Sequence, residues 1–159
     1  MPQQDRDRPA AGGPRSRLFV YNGGFLTDRR VRRILGLAGY DLRLGRPDPD
    51  DLVGVWGQSP TAHRGEAMAA RWGAGLLRVE DAFLRSLHPG RAGEPPLGLV
   101  LDQSGVHFDA SAPSDLERLL AGAALDDTAL LDRAREAIAR MRAAHLSKYS
   151  ATDPALPPP

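Results

Sequence analysis

Residues 52–81 read LVGVWGQSPTAHRGEAMAARWGAGLLRVED, and this stretch decides the fold. Leu52-Val53-Gly54-Val55-Trp56 is nearly apolar throughout, as a strand buried on both faces is. Ser59-Pro60 predicts a helix over residues 61–72, with Pro60 at the first helical position, where its missing N–H costs nothing. Gly73 suits a left-handed helix stop. Gly75-Leu76-Leu77-Arg78-Val79 is a second apolar strand. Strand, helix and strand in succession argue for an α/β domain built on a mainly parallel sheet with flanking helices. In such sheets ligands bind beyond the carboxyl ends of the strands. That rule selects the loops at residues 22–25, 57–60 and 80–86.

The pattern extends in both directions. Upstream, residues 17–21 (RLFVY) form a strand, Asn22-Gly23-Gly24 breaks it, and Thr27 caps a helix that Gly39 ends. A short strand at 41–44 and a Pro/Asp-rich turn at 46–50 follow. Downstream, residues 80–97 read as a Gly/Pro-rich loop. Residues 98–102 and 106–109, around Gln103-Ser104-Gly105, predict a hairpin. Ser114 caps a helix over 115–121. A longer helix at 126–145 carries Leu130, Leu131, Ala134, Ile138 and Met141 at helical spacing. The expected organisation is a disordered tail at 1–16, one domain at 17–150 and a Pro-rich linker at 151–159.

The chain has 159 residues and a mass of 17.1 kDa, enough for one domain. It is 26% charged and 42% hydrophobic, which places it among globular chains. No apolar run approaches the roughly 20 residues of a membrane span, and the N-terminus lacks the apolar stretch of a secretory signal. With 0 cysteines there are no disulfides, thiolate metal sites or cysteine nucleophiles, so a cytoplasmic home is expected. Lys148 is the single lysine among 21 basic residues, and the other 20 are arginine. Most of these alternate with acids, and a net charge of +1 gives no basic excess for nucleic acid.

Several motifs carry candidate chemistry. Residues 21–25 (YNGGF) join strand to helix, where bare amides hold anions, but G-x-G-x-x-G and P-loop patterns are absent and an ordinary turn at the cleft edge is the better reading. Asp48-Pro49-Asp50 has a metal-like D-x-D spacing, yet it precedes a strand and so reads as a solvated turn. The four histidines are scattered, with His88-Pro89 in a surface turn, and no metal is expected. The richest segment is Arg78-Val79-Glu80-Asp81-Ala82-Phe83-Leu84-Arg85-Ser86. Arg78 shares a strand face with Glu80 and is placed to pair with it. Glu80 and Asp81 cannot both face one cleft unless the strand ends between them. Arg78, Glu80, Asp81, Arg85 and Ser86 are therefore either a substrate-binding cluster or a structural cluster that fixes the loop, and the residues alone leave both open.

This segment and its neighbours resemble the capsule polysaccharide biosynthesis proteins, the retaining β-Kdo transferases of Gram-negative capsule assembly. The resemblance runs through Val55-Trp56-Gly57, Pro60-Thr61-Ala62, residues 78–86, Gly93-Glu94-Pro95-Pro96-Leu97, Leu99-Val100-Leu101-Asp102, residues 105–111, Pro113-Ser114-Asp115-Leu116-Glu117 and Ser147-Lys148-Tyr149. Ala82 departs from the glycine usual after the Glu-Asp pair. The family continues into a second Rossmann-like half, so the resemblance implies the N-terminal, acceptor-side half of a GT-B glycosyltransferase. It implies transfer of Kdo from CMP-Kdo to a saccharide or lipid-linked saccharide, with no cofactor. Arg78 and Arg85 would suit the Kdo carboxylate. Asp81 is a candidate catalytic participant, with the main catalytic aspartate expected in the half not present here. His88-Pro89 is distinct from the family's His-Pro donor element. The implied partners are the acceptor and the C-terminal half, without nucleic acid, and with at most peripheral association at the inner face of the inner membrane. The alternative is a non-catalytic saccharide-binding or docking module of the same descent.

Overall fold

A computed structural model describes residues 15–149. The first unit is β1 (Ser16–Val20), a short α1 (Gly24–Thr27), α2 (Arg29–Leu37) and β2 (Tyr40–Arg43). It is followed by β3 (Leu52–Trp56), α3 (Ala62–Trp72) and β4 (Gly75–Asp81), then β5 (Leu99–Asp102), α4 (Asp115–Gly122) and α5 (Thr128–Ala143). One sheet runs in the order β2-β1-β3-β4-β5. Its first four strands are parallel, and β5 is antiparallel to β4, with Asp81 opposite Leu99 and Arg78 opposite Asp102. This is the expected α/β, Rossmann-like layering.

The strands alternate their side chains between two apolar layers. Leu18, Val20, Leu77 and Val79 pack with Phe25, Val31 and Leu35 of α1 and α2. Phe19, Val53 and Val55 pack on the other face with Ala62 and Ala69 of α3. At Gly65 a Cβ would lie 2.4 Å from Val55 Cγ1, so the glycine sets how closely α3 meets β3. Gly73 closes α3 at φ 69°, and Gly39 follows α2 at φ 91°, both in the left-handed region where glycine is at ease.

Several expectations need correction. Asp28, not Thr27, caps α2: its Oδ1 accepts from the amides of Arg30 and Val31, while Thr27 ends α1. Pro60 precedes α3 in a turn, because Thr61 is the residue before its first turn. β4 runs two residues further than expected, through Glu80 and Asp81. The hairpin does not form. The Asp102 carboxylate accepts from the amides of Ser104, Gly105 and Asp115, which turns the chain into α4 instead of back along β5. The turn at 48–51 is less solvated than expected: Asp51 is buried and, with Asp48, holds Arg17 at 2.7 and 2.9 Å. Ser114 caps α4 in a full capping box with Glu117. The helical spacing of α5 is present, but none of its residues is buried. β1 starts at Ser16, one residue inside the expected tail. The rest of that tail up to residue 14, and the linker at 151–159, lie outside the described residues.

Candidate functional site

The strand order reverses between β1 and β3, and the crevice at their carboxyl ends is where this topology opens a ligand site. Asn22, just after β1, bridges it: Nδ2 donates to Thr61 Oγ1 at 2.7 Å, and Oδ1 accepts from the Gly24 amide at 3.0 Å. Beside this bridge lies a cleft of about 370 Å³, lined by Asn22, Phe25, Asp28, Trp56, Arg85 and Pro96 among others. That size suits a small ligand such as one sugar residue. Phe25 and Trp56 form an aromatic pair with centroids 5.8 Å apart.

Arg85 is the buried cation of this cleft, 7% exposed. Its Nε donates to Asp81 Oδ2 at 2.7 Å, and Nη1 donates to Ser86 Oγ at 2.8 Å and to the Glu94 carbonyl at 2.9 Å. The guanidinium packs so closely on Gly90 that a Cβ there would lie 2.2 Å from Nη2. No hydrogen bond of Nη2 is seen among the described residues. Ser86 Oγ in turn donates a hydrogen bond to the His88 carbonyl at 2.6 Å. Asp81 Oδ1 is buried and finds no partner among the described residues. A buried acceptor left unpaired is costly.

The other two expected residues sit elsewhere. Because β4 extends through Asp81, Arg78 and Glu80 project to the α3 face while Asp81 projects to the opposite one. Arg78 does not pair with Glu80. It reaches Glu66 Oε1 of α3 at 2.8 Å and the Gly57 carbonyl at 2.8 Å. Glu80 lies against Gly57, whose φ of +43° and missing Cβ make room for its carboxyl. Burial pushes the Glu80 carboxyl above the ordinary glutamate value, against the backbone hydrogen bond from Asp81, so it retains its proton to higher pH. Around it, Gln58 hydrogen-bonds Asp109, and Phe83, His107 and Phe108 form an edge-to-face series with centroids 5.0 and 5.3 Å apart. Both phenylalanines are more than half exposed. The five residues thus divide into Asp81, Arg85 and Ser86, joined by hydrogen bonds beside the cleft, and Arg78 and Glu80 on the other face, near an open aromatic surface. Trp56, Asp28 and Pro96 were not singled out from sequence. Trp56 and Pro96 do fall inside motifs quoted above, and that was the available signal.

The family model for "Capsule polysaccharide biosynthesis protein" matches residues 50–155. The chain belongs to this family. Its curated relatives include the capsule polysaccharide modification protein LipA of Neisseria meningitidis, 33% identical in serogroup B and 39% in serogroup A, in each case over 82% of this chain. The lipopolysaccharide-processing protein LpsZ of Rhizobium meliloti is 43% identical over 47% of this chain. Among solved structures, Thermosulfurimonas dismutans KpsC, β-Kdo 2,4 transferase, matches 90% of the chain with TM-score 0.76 and 28% identity. The β-Kdo 2,7 transferase structure of KpsC matches at TM-score 0.56 and 23% identity, a likeness of fold. The family member described here spans 19% of the length of the LipA proteins and 44% of the KpsC 2,4 transferase chain.

Proposed function

We propose that this chain acts in capsule polysaccharide biosynthesis as the acceptor-side half of a GT-B β-Kdo transferase, moving Kdo from CMP-Kdo to a saccharide or lipid-linked saccharide with retention at the anomeric carbon. The observation that carries the reading is the likeness of 90% of the chain to the KpsC β-Kdo 2,4 transferase, with the buried Arg85 facing a sugar-sized cleft at the switch point. Kdo bears a carboxylate on its anomeric carbon, and a guanidinium is a suitable partner for it. Asp81, fixed by Arg85, would place negative charge near an oxocarbenium-like centre. Glu80 lies on the opposite face of the sheet from Asp81 and the cleft, so on this reading it contributes to an acceptor surface beside Phe83 and Phe108 and not to the reacting centre. The phenylalanines would stack on the acceptor. The donor-binding half lies outside these 159 residues on this reading, and the reaction takes place at the cytoplasmic face of the inner membrane.

The test is a transfer assay in which the chain is joined to the C-terminal half of a family member and supplied with CMP-Kdo and a Kdo-terminated acceptor. Transfer by the joined protein, lowered about a hundredfold by Asp81→Asn with unchanged circular dichroism, supports the reading. Wild-type turnover in Asp81→Asn would make the cluster structural. Calorimetry on the chain alone is expected to find no CMP-Kdo binding, and tight binding there would overturn the assignment to the acceptor half. Saccharide binding without transfer by the joined protein would favour the non-catalytic binding module.

A further inference from the structure

α2 reads RRVRRILGL, and Arg29, Arg32, Arg33 and Gly36 fall at i, i+3, i+4 and i+7, one face of the helix. Together with Arg15, Tyr40, Asp41 and Leu42 they line a groove of about 500 Å³ between α2 and the edge strand β2. Its carboxylate, Asp41, is held by Arg43 at 2.6 Å. The nearby Asp28 Oδ1 is taken by the amides of Arg30 and Val31. Among the described residues, Arg15, Arg29, Arg32 and Arg33 have no ion-pair partner, and all four are exposed.

This arrangement works against the helix. Cations stand in its first turn, where the dipole disfavours them, and like charges repeat at i+3 and i+4. α5, by contrast, pairs two of its four arginines with acids, Arg135 with Asp132 and Arg140 with Glu136. Leu37, 79% exposed, continues the Arg29–Arg33 row one further turn along. Unpaired guanidiniums on an open face ending in a protruding leucine combine phosphate-gripping forks with an apolar contact.

We propose that the α2–β2 groove docks on an anionic lipid surface, with Arg15, Arg29, Arg32 and Arg33 holding headgroup phosphates and Leu37 entering the interface. An anionic bilayer attracts each such arginine by roughly fivefold in binding. Sedimentation of the full chain with vesicles of phosphatidylcholine and phosphatidylglycerol in equal parts is expected to show binding that pure phosphatidylcholine does not support and that rising salt abolishes. The variant Arg29→Gln/Arg32→Gln/Arg33→Gln, its fold checked by circular dichroism, should bind about a hundredfold more weakly. Arg133→Gln/Arg135→Gln/Arg140→Gln removes the same charge from α5 and should bind as the wild type does. Equal loss in the two variants would reduce the effect to net charge and overturn the proposal. Absence of wild-type binding to the mixed vesicles would overturn it as well, as would binding of inorganic pyrophosphate at the groove without any vesicle binding.

Discussion

Asp81 and Glu80 are neighbours in sequence with opposite surroundings, and each makes a prediction of its own. Asp81 owes its position to Arg85, whose side chain is 8% exposed. Arg85→Met would strip the carboxylate of its one side-chain partner among the described residues and cost about 3 kcal/mol, read as a shift in denaturant midpoint. Arg85→Met combined with Asp81→Leu should recover most of that loss, since the uncompensated charge is then gone. Failure to recover would mean that Ser86 and the Glu94 carbonyl, not the ion pair, carry the energy. For Glu80, burial raises the folded-state proton affinity above the unfolded value, so the folded state binds more protons in the interval between them. Stability therefore falls as pH rises through that interval. Glu80→Gln should raise the melting temperature at pH 7, and the gain should vanish well below the ordinary glutamate value, where both states are protonated. An equal gain at acid and neutral pH would show that the carboxyl is not strained by burial. Strand alternation gave the opposed directions of these two side chains only on condition that the strand continued past Val79, which it does. Arg78's partner was not legible, because Glu66 reaches it from a helix packed across the sheet, and no spacing in the sequence encodes that contact.

Elements were legible where one physical cause dominates. The unbroken apolar run of β3 and the left-handed Gly73 place β3 and the end of α3 at their observed positions. The hairpin failed because a side chain, Asp102, captures backbone amides that a turn reading assigns to strand pairing. The end of β4 failed because charged residues look like loop, although Glu80 and Asp81 still pair with Val100 and Leu99. Between elements, Gly65 is the position that sequence reading passed over. Its would-be Cβ meets Val55 Cγ1 at 2.4 Å and Val53 Cγ1 at 3.3 Å, both on strand side chains held by the core. Gly65→Ala must therefore push α3 off β3, and the expected cost is about 2 kcal/mol despite the better helix propensity of alanine. Unchanged or increased stability in a urea titration would show that the α3 layer can slide without loss. Such a shift would also move Thr61 and its hydrogen bond to Asn22, so the cleft is sensitive to a residue that does not line it.

At the scale of the whole molecule, the sheet and its two helical layers form the core, while α4 and α5 contribute no buried residue to it. Of the apolar row read from the sequence, Leu130 and Ile138 are 53% and 48% exposed while Leu131 and Met141 are half-buried, and Leu119, Leu120 and Leu125 before it are exposed too, so much of this surface is uncovered. Periodicity reports which residues share a face; it does not report what covers that face, and here the described residues cover only part of it. A helix of 16 residues without tertiary burial is marginal in water. Amide exchange in α5 of the chain alone should accordingly stay within about tenfold of an unstructured peptide, while amides of β3 exchange only through global unfolding. The amides of Arg85 and Ser86 should be slower than those of α5, because both donate to the Lys148 carbonyl, and Tyr149 bridges to Ser86, which ties the end of the described chain back to the cleft. The chain spans 44% of the KpsC 2,4 transferase it superposes on, so the proposed C-terminal half is the natural cover for the α4–α5 row. Joining that half should slow α5 exchange by at least the hundredfold that a few buried leucines confer. Exchange as slow as that of β3 in the isolated chain would mean that α5 is already packed, and the second half would then have to dock on the carboxyl edge of the sheet alone.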